Sequence, residues 1–320
     1  MQQTRIVFWG SPGIAAEFLS HLVSAHADRF TVTACVTQTE KTVQRQGRSA
    51  VRSAVHNRAE ELGIPVFTPK SVKKEADQLL RELNQTGFDL FVVLAYGKIL
   101  PTAVIDAPRL KSVNFHGSLL PLLRGASPIE HALLSGFSET GWTLQRIVEK
   151  LDAGDIIEQS KVAIDDQETT GTLYGKMTAN LIANGAAMLA RYVEGTANIQ
   201  PQNEQAATHC GKISADDGKL DFALSATAIR NRYRAFTPRP GVFAAFRGKK
   251  VKLSFDLSTA PETIAKPPGS IIRSGKSGLF VVCGDGKALA IATVTPEGKK
   301  AMAAADFMNG YRLTDTDAFA

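Results

Sequence analysis

Short apolar, β-branched runs alternate with stretches of helical spacing through the first part of the chain. Residues 5–9 form an apolar run that stops at Gly10-Ser11-Pro12-Gly13, after which Ile14, Phe18, Leu19 and Leu22 recur at helical spacing to about Ala25. This spacing predicts strand, tight turn and helix. Phe30 to Val36 and Ile64 to Phe67 are further strand-like runs, and Phe88 to Leu94 is apolar almost throughout, as in a strand buried on both faces. Lys111 to His116 is another short strand. Thr140 to Val148 and Ile156 to Ile164 predict two more, and a long amphipathic helix is expected from about Thr170 to Glu194.

The pattern changes near Ala197. Residues 197–207 are rich in Gln and Asn with little periodicity, so a linker is expected there, with domains at 1–196 and 208–320. Ala226 to Ala235 predicts a helix. Val242 to Phe246, Lys250 to Phe255, Ser270 to Arg273, Leu279 to Cys283 and Ala288 to Val294 predict short strands parted by turns. The fold expected is α/β: a Rossmann-like domain with a mostly parallel sheet, followed by a small, OB-like β-barrel domain.

Composition alters this picture in two respects. No apolar stretch reaches the roughly 18–20 residues of a membrane helix, and the first strand begins within a few residues of Met1, so a cytoplasmic protein without membrane contact is expected. The 37 basic and 31 acidic residues are also unevenly spread. Residues 207–320 hold 17 basic and 10 acidic groups, which leaves 20 and 21 for residues 1–206, so the basic excess belongs to the second domain. A polyanionic partner fits that surface. The segment Lys41 to Arg52 adds a second run of one sign, free of acidic residues, and reads either as a phosphate-binding loop or as a solvated one.

The first turn does not bind a dinucleotide by its pattern, because Gly10-Ser11-Pro12-Gly13 is not GxGxxG and Val36-Thr37 replaces the acidic residue that closes such a unit. The three cysteines are far apart, and no second His or Cys stands at ligand spacing near His116, so no metal is expected. His21, His26, His56, His131 and His209 lack polar company and read as structural. Candidate chemistry gathers instead at Asn114-Phe115-His116. Strand alternation aims Asn114 and His116 to one side, and Asp152 lies in the turn between two later strands. Imidazole and carboxylate can move a proton near neutral pH, and an amide can hold an oxygen that gains charge. With no activated Ser or Cys beside them, the set suits direct acyl transfer to an amine. Each residue alone also reads as ordinary strand-end or turn structure.

The sequence resembles the 10-formyltetrahydrofolate-dependent formyltransferases, and among them the branch that formylates methionyl-tRNA. Asn114-x-His116 with Ser118-Leu119-Leu120-Pro121 and Leu151-Asp152-Ala153-Gly154-Asp155 carries the first likeness, joined by Ala95-Tyr96-Gly97-Lys98-Ile99-Leu100-Pro101 and Arg124-Gly125-Ala126-Ser127-Pro128-Ile129. Asp216 to Asp221, Arg234 to Gly241 and Gly298 to Met302 carry the second. The resemblance implies Asn114, His116 and Asp152 as catalytic residues and 10-formyltetrahydrofolate as co-substrate. It implies folate contacts at Tyr96, Gly97, Lys98, Ile99, Leu100, Ser118, Leu119, Leu120, Pro121, Thr140 and Gly141. It also implies initiator methionyl-tRNA as acceptor, met by Lys41, Arg45, Arg48, Arg52, Arg234, Lys249 and Lys250, in a protein expected to be monomeric. Trp142 stands where relatives carry a small aliphatic residue.

Overall fold

The computed structural model describes residues 3–39, 41–44, 48–275 and 277–320, with the backbone alone at 41–44 and 48–50. The described chain divides into two compact units, the first made of 1–128, 140–162 and 175–210, the second of 129–139, 163–174 and 211–320. That division differs from the expected single break at 197–207. The long helix Thr170–Val193 has residues in both units.

A seven-stranded sheet organises the first unit, in the order Ile156–Ala163, Glu139–Arg146, Ser112–His116, Leu90–Leu94, Thr4–Gly10, Phe30–Val36, Val66–Phe67. From Ser112–His116 to Val66–Phe67 every neighbour is parallel, and Glu139–Arg146 runs antiparallel to Ser112–His116. Leu90–Leu94 is buried at all five positions, as its unbroken apolar run requires. Trp9, Phe91 and Tyr96 pack edge-on or tilted in the core beneath it, at centroid distances of 5.3–5.4 Å. Trp142 fits as a core residue, its indole N–H donating to the Met177 carbonyl at 2.7 Å.

Where the sequence predicted a loop at Lys41 to Arg52, the backbone forms an antiparallel hairpin of Lys41–Gln44 and Arg48–Val51. Thr42, Val43, Ala50 and Val51 supply the β-branched and small residues that its ladder accepts. Helix Ala304–Tyr311 was also not expected, since it is short and its apolar residues do not repeat far enough to show a period.

The second unit holds an antiparallel sheet in the order Val242–Phe246, Lys249–Phe255, Lys287–Pro296, Gly278–Val282, Ile271–Ser274. Its two end strands are joined by residues 317–320. Ala320 and Ala245 exchange backbone hydrogen bonds, Phe319 bonds to Gly269, and Asp317 accepts from Ile271. Phe246, Phe307 and Phe319 form the aromatic centre of this unit.

Candidate active site

The antiparallel pairing of Ser112–His116 with Glu139–Arg146 sets Asn114 opposite Gln145 and His116 opposite Thr143, so these four side chains share one face of the sheet. His116, Thr143 and Gln145 are buried; Asn114 is half-buried, and its amide has no hydrogen-bond partner among the described residues. His116 Nε2 lies 2.8 Å from the Leu123 carbonyl, which can only accept, so Nε2 carries a proton. Nδ1 then faces Asp152 Oδ2 at 3.6 Å, beyond a direct hydrogen bond and within ion-pair range.

Asp152 sits in a left-handed conformation with φ 49°, in a turn that closes on itself: Gly154 has no room for a Cβ, which would meet the Arg146 carbonyl at 1.9 Å. Both carboxylate oxygens accept hydrogen bonds. Gln145 Nε2 donates to Oδ1 and the Gly125 N–H donates to Oδ2, each at 2.9 Å. Gly125 adopts φ 123° against the Cys210 carbonyl, 2.1 Å from where a Cβ would stand, because Arg124–Gly125 pairs in parallel with His209–Cys210. That pairing holds the donor to Asp152 in place.

The candidate folate residues fall into three groups. Tyr96 is buried, its hydroxyl without a partner and its pKa pushed up by that burial and by Glu75; Leu100 is buried, Gly97 is exposed and Ile99 is 82% exposed. Lys98 is committed elsewhere, donating to the carbonyls of Pro69 and Lys70. Ser118 donates to Leu122 O, Leu120 N donates to Thr143 Oγ1, and Leu119 and Pro121 are half-buried beside them. Thr140 carries a buried hydroxyl without a partner, and Gly141 is buried next to it. Val148 and Leu151 are exposed on the turn that holds Asp152, as Ile99 is on the segment after Leu90–Leu94.

The basic candidates separate equally clearly. Arg45 lies outside the described residues, and Lys41 and Arg48 belong to the hairpin. Arg52 pairs with Glu60 at the surface. Lys249 and Lys250 are exposed, Lys250 with its Nζ 3.5 Å from the centroid of Phe243. Arg234 is a correction: it is buried and donates to the carbonyls of Glu168 and Asp165 and to Asn231 Oδ1, and burial lowers its pKa. Its charge holds the fold and does not face solvent.

Gln145 and Gln202 were missed from sequence. Gln145 was visible only as a polar residue in an apolar strand, two positions past Thr143. Gln202 lay in a stretch whose composition reads as linker. Among the described residues no group of three or more His, Cys, Asp or Glu could hold a metal, and no helix is long and apolar enough to cross a membrane.

Two family models match the chain. "Formyl transferase" covers residues 4–183, and "Formyl transferase, C-terminal domain" covers residues 212–312. A methionyl-tRNA formyltransferase of Leptospira interrogans is 37% identical over 321 residues, covering 98% of this chain and 99% of its own. One from Pseudoalteromonas translucida is 36% identical over 313 residues, covering 97% and 94%. In fold, the chain is similar to WlaRD, a sugar 3N-formyltransferase crystallised with dTDP and 5-N-formyl-THF. That structure has a TM-score of 0.64 and 18% identity over 94% of this chain and all of the other. An N-formyltransferase from Helicobacter canadensis, solved with folinic acid and dTDP-3-aminofucose, gives 0.63 and 19% over 92% and 100%.

Proposed function

The chain belongs to the methionyl-tRNA formyltransferase family, and from that premise we propose how its own residues carry the reaction. The enzyme transfers a formyl group to the amino group of initiator methionyl-tRNA, giving N-formylmethionyl-tRNA for translation initiation. We take 10-formyltetrahydrofolate as the donor and the cytoplasm as the place of reaction.

The amine nitrogen attacks the formyl carbon, the new C–N bond forms, and the bond from that carbon to N10 of the folate breaks. One proton leaves the amine and one arrives at N10, so the products are the formylated tRNA and tetrahydrofolate. Asn114 has a free amide on the face shared with His116, and it donates to the oxygen that becomes negative in the tetrahedral intermediate. With Nε2 of His116 donating to Leu123, Nδ1 is the nitrogen that takes and returns the proton, and Asp152 stabilises the ring while both nitrogens are protonated. The His116 and Asp152 geometry, with both carboxylate oxygens already held, carries this reading.

Tyr96, Gly97, Ile99, Leu100, Thr140 and Gly141 are assigned to the folate, and Ser118 to Pro121 to the wall beside it. Lys41 and Arg48 on the hairpin, Arg45 between them in sequence, Arg52 after them, and the exposed Lys249 and Lys250 are assigned to tRNA phosphates. The deciding experiment gives the purified protein 10-formyltetrahydrofolate with charged initiator tRNA, an amino sugar nucleotide or glycinamide ribonucleotide in turn. Formylation of the tRNA is expected; formylation of a small amine alone would overturn the acceptor.

A further inference from the structure

The stretch 200–210 is bound tightly into the first unit, at the points that orient Asp152. Gln202 uses both ends of its amide. Its Nε2 donates to the carbonyls of Asp152 at 2.9 Å and Gly154 at 2.7 Å, and its Oε1 accepts from Arg124 Nε at 3.0 Å and Nη2 at 2.8 Å. The amide cannot be turned over without setting oxygen against two carbonyls and N–H groups against a guanidinium. Arg124, only 1% exposed, is fixed in turn by Glu204, whose two oxygens accept from Nη1 and Nη2 at 3.2 and 2.8 Å. Lys150 pairs with the same Glu204 at 2.6 Å, which ties in the start of the Asp152 turn.

Residues 122–126 are held from the same stretch. Leu123 N–H donates to Thr208 Oγ1 at 2.8 Å, Arg124 N–H to the Thr208 carbonyl at 2.9 Å, and Ala126 N–H to the Cys210 carbonyl at 3.2 Å. This segment supplies the carbonyl that accepts from His116 Nε2 and the N–H that donates to Asp152 Oδ2. One strip of chain therefore sets both the backbone of Asp152 and the two groups that aim the pair.

We propose that Gln202, oriented by Arg124 and Glu204, is a positioning residue for formyl transfer, holding the left-handed turn that presents the Asp152 carboxylate to His116. The proposal rests on the reading of Asp152 given above. Gln202→Glu is the sharpest test, because a carboxylate still pairs with Arg124 but sets an anionic oxygen against the carbonyls of Asp152 and Gly154. Glu204→Gln, which loosens Arg124 from the exposed side, is the milder second variant, and Asp152→Asn is the reference.

For each variant kcat, KM for both substrates and the thermal midpoint are measured. Gln202→Glu is expected to lower kcat by about 10–100-fold, as loss of an outer group that orients a reacting one does, with both KM values within about threefold of wild type and the midpoint little changed. Glu204→Gln is expected to lower kcat by a smaller factor in the same manner. Wild-type kcat in both variants, with Asp152→Asn strongly impaired, overturns the positioning role and leaves the site reading standing. A loss accounted for by the unfolded fraction also overturns it. Full activity in Asp152→Asn removes the site reading, and the positioning role with it.

Discussion

The charges around Asp152 and those on the strand Lys249–Phe255 are used in opposite ways. Around Asp152 the polar ends that shape its turn are bound, Arg124 by three acceptor atoms and Asp152 by two N–H donors. Along Lys249–Phe255, Lys249, Lys250 and Lys252 stand in solvent, and Lys250 rests on the ring of Phe243. On the function proposed above, the first arrangement would fix atoms to the tolerance that bond-making needs, and the second would supply mean positive charge to a partner that brings its own geometry. Buried groups therefore act through position and exposed ones through number. Substitutions in the two regions should differ in what they change as well as in how much.

The largest effect expected is at His116. His116→Ala should lower kcat by about 10²–10⁴-fold with binding of methionyl-tRNA kept, measured by steady-state kinetics and by filter binding at one salt concentration. Weakened tRNA binding with retained kcat would make His116 a binding group and remove its role in proton transfer.

Arg247 and Asp317 are an intermediate case, an exposed guanidinium held by a nearly buried carboxylate through two hydrogen bonds at 2.8 and 2.7 Å. Hydrogen bonding to Arg247 holds the Asp317 carboxyl down to about 2. Because its folded value lies below the ordinary aspartate value of about 3.9, the stabilisation is fully present above that pH and is lost as pH falls towards about 2. Asp317→Asn should therefore lower the thermal midpoint by a few degrees at pH 7, and the gap to wild type should close on acidification to about pH 2. A gap that stays constant with pH would show that the pair is not the source.

The smallest effect belongs to the exposed lysines. Lys250→Gln should leave kcat alone and reduce the slope of log binding constant against log salt by about one. An unchanged slope would remove Lys250 from the tRNA surface.

The fold was legible where physics is local. Apolar, β-branched runs and a 3.6-residue period marked the seven strands of the first sheet and the helix Thr170–Val193, and the five strands of the second sheet lie within a few residues of their expected places. Asn114 and His116 were legible because alternation along one strand fixes their common side. Gln145 depends on register with a strand about thirty residues away, which no local pattern reveals. Gln202 depends on partners at 124, 152 and 154, so its composition pointed the wrong way. Arg234 carries a charge that sequence reading assigns to the surface, and only the carbonyls of Asp165 and Glu168 show why it can be buried.

Residues 317–320 have a consequence for solubility. By bonding to Ala245 and Ile271 they occupy backbone groups of both outermost strands of the second sheet. Unpaired strand edges are templates for joining one molecule to the next. A chain cut before Asp317 would expose two such edges at once, and edge-to-edge association would then compete with folding.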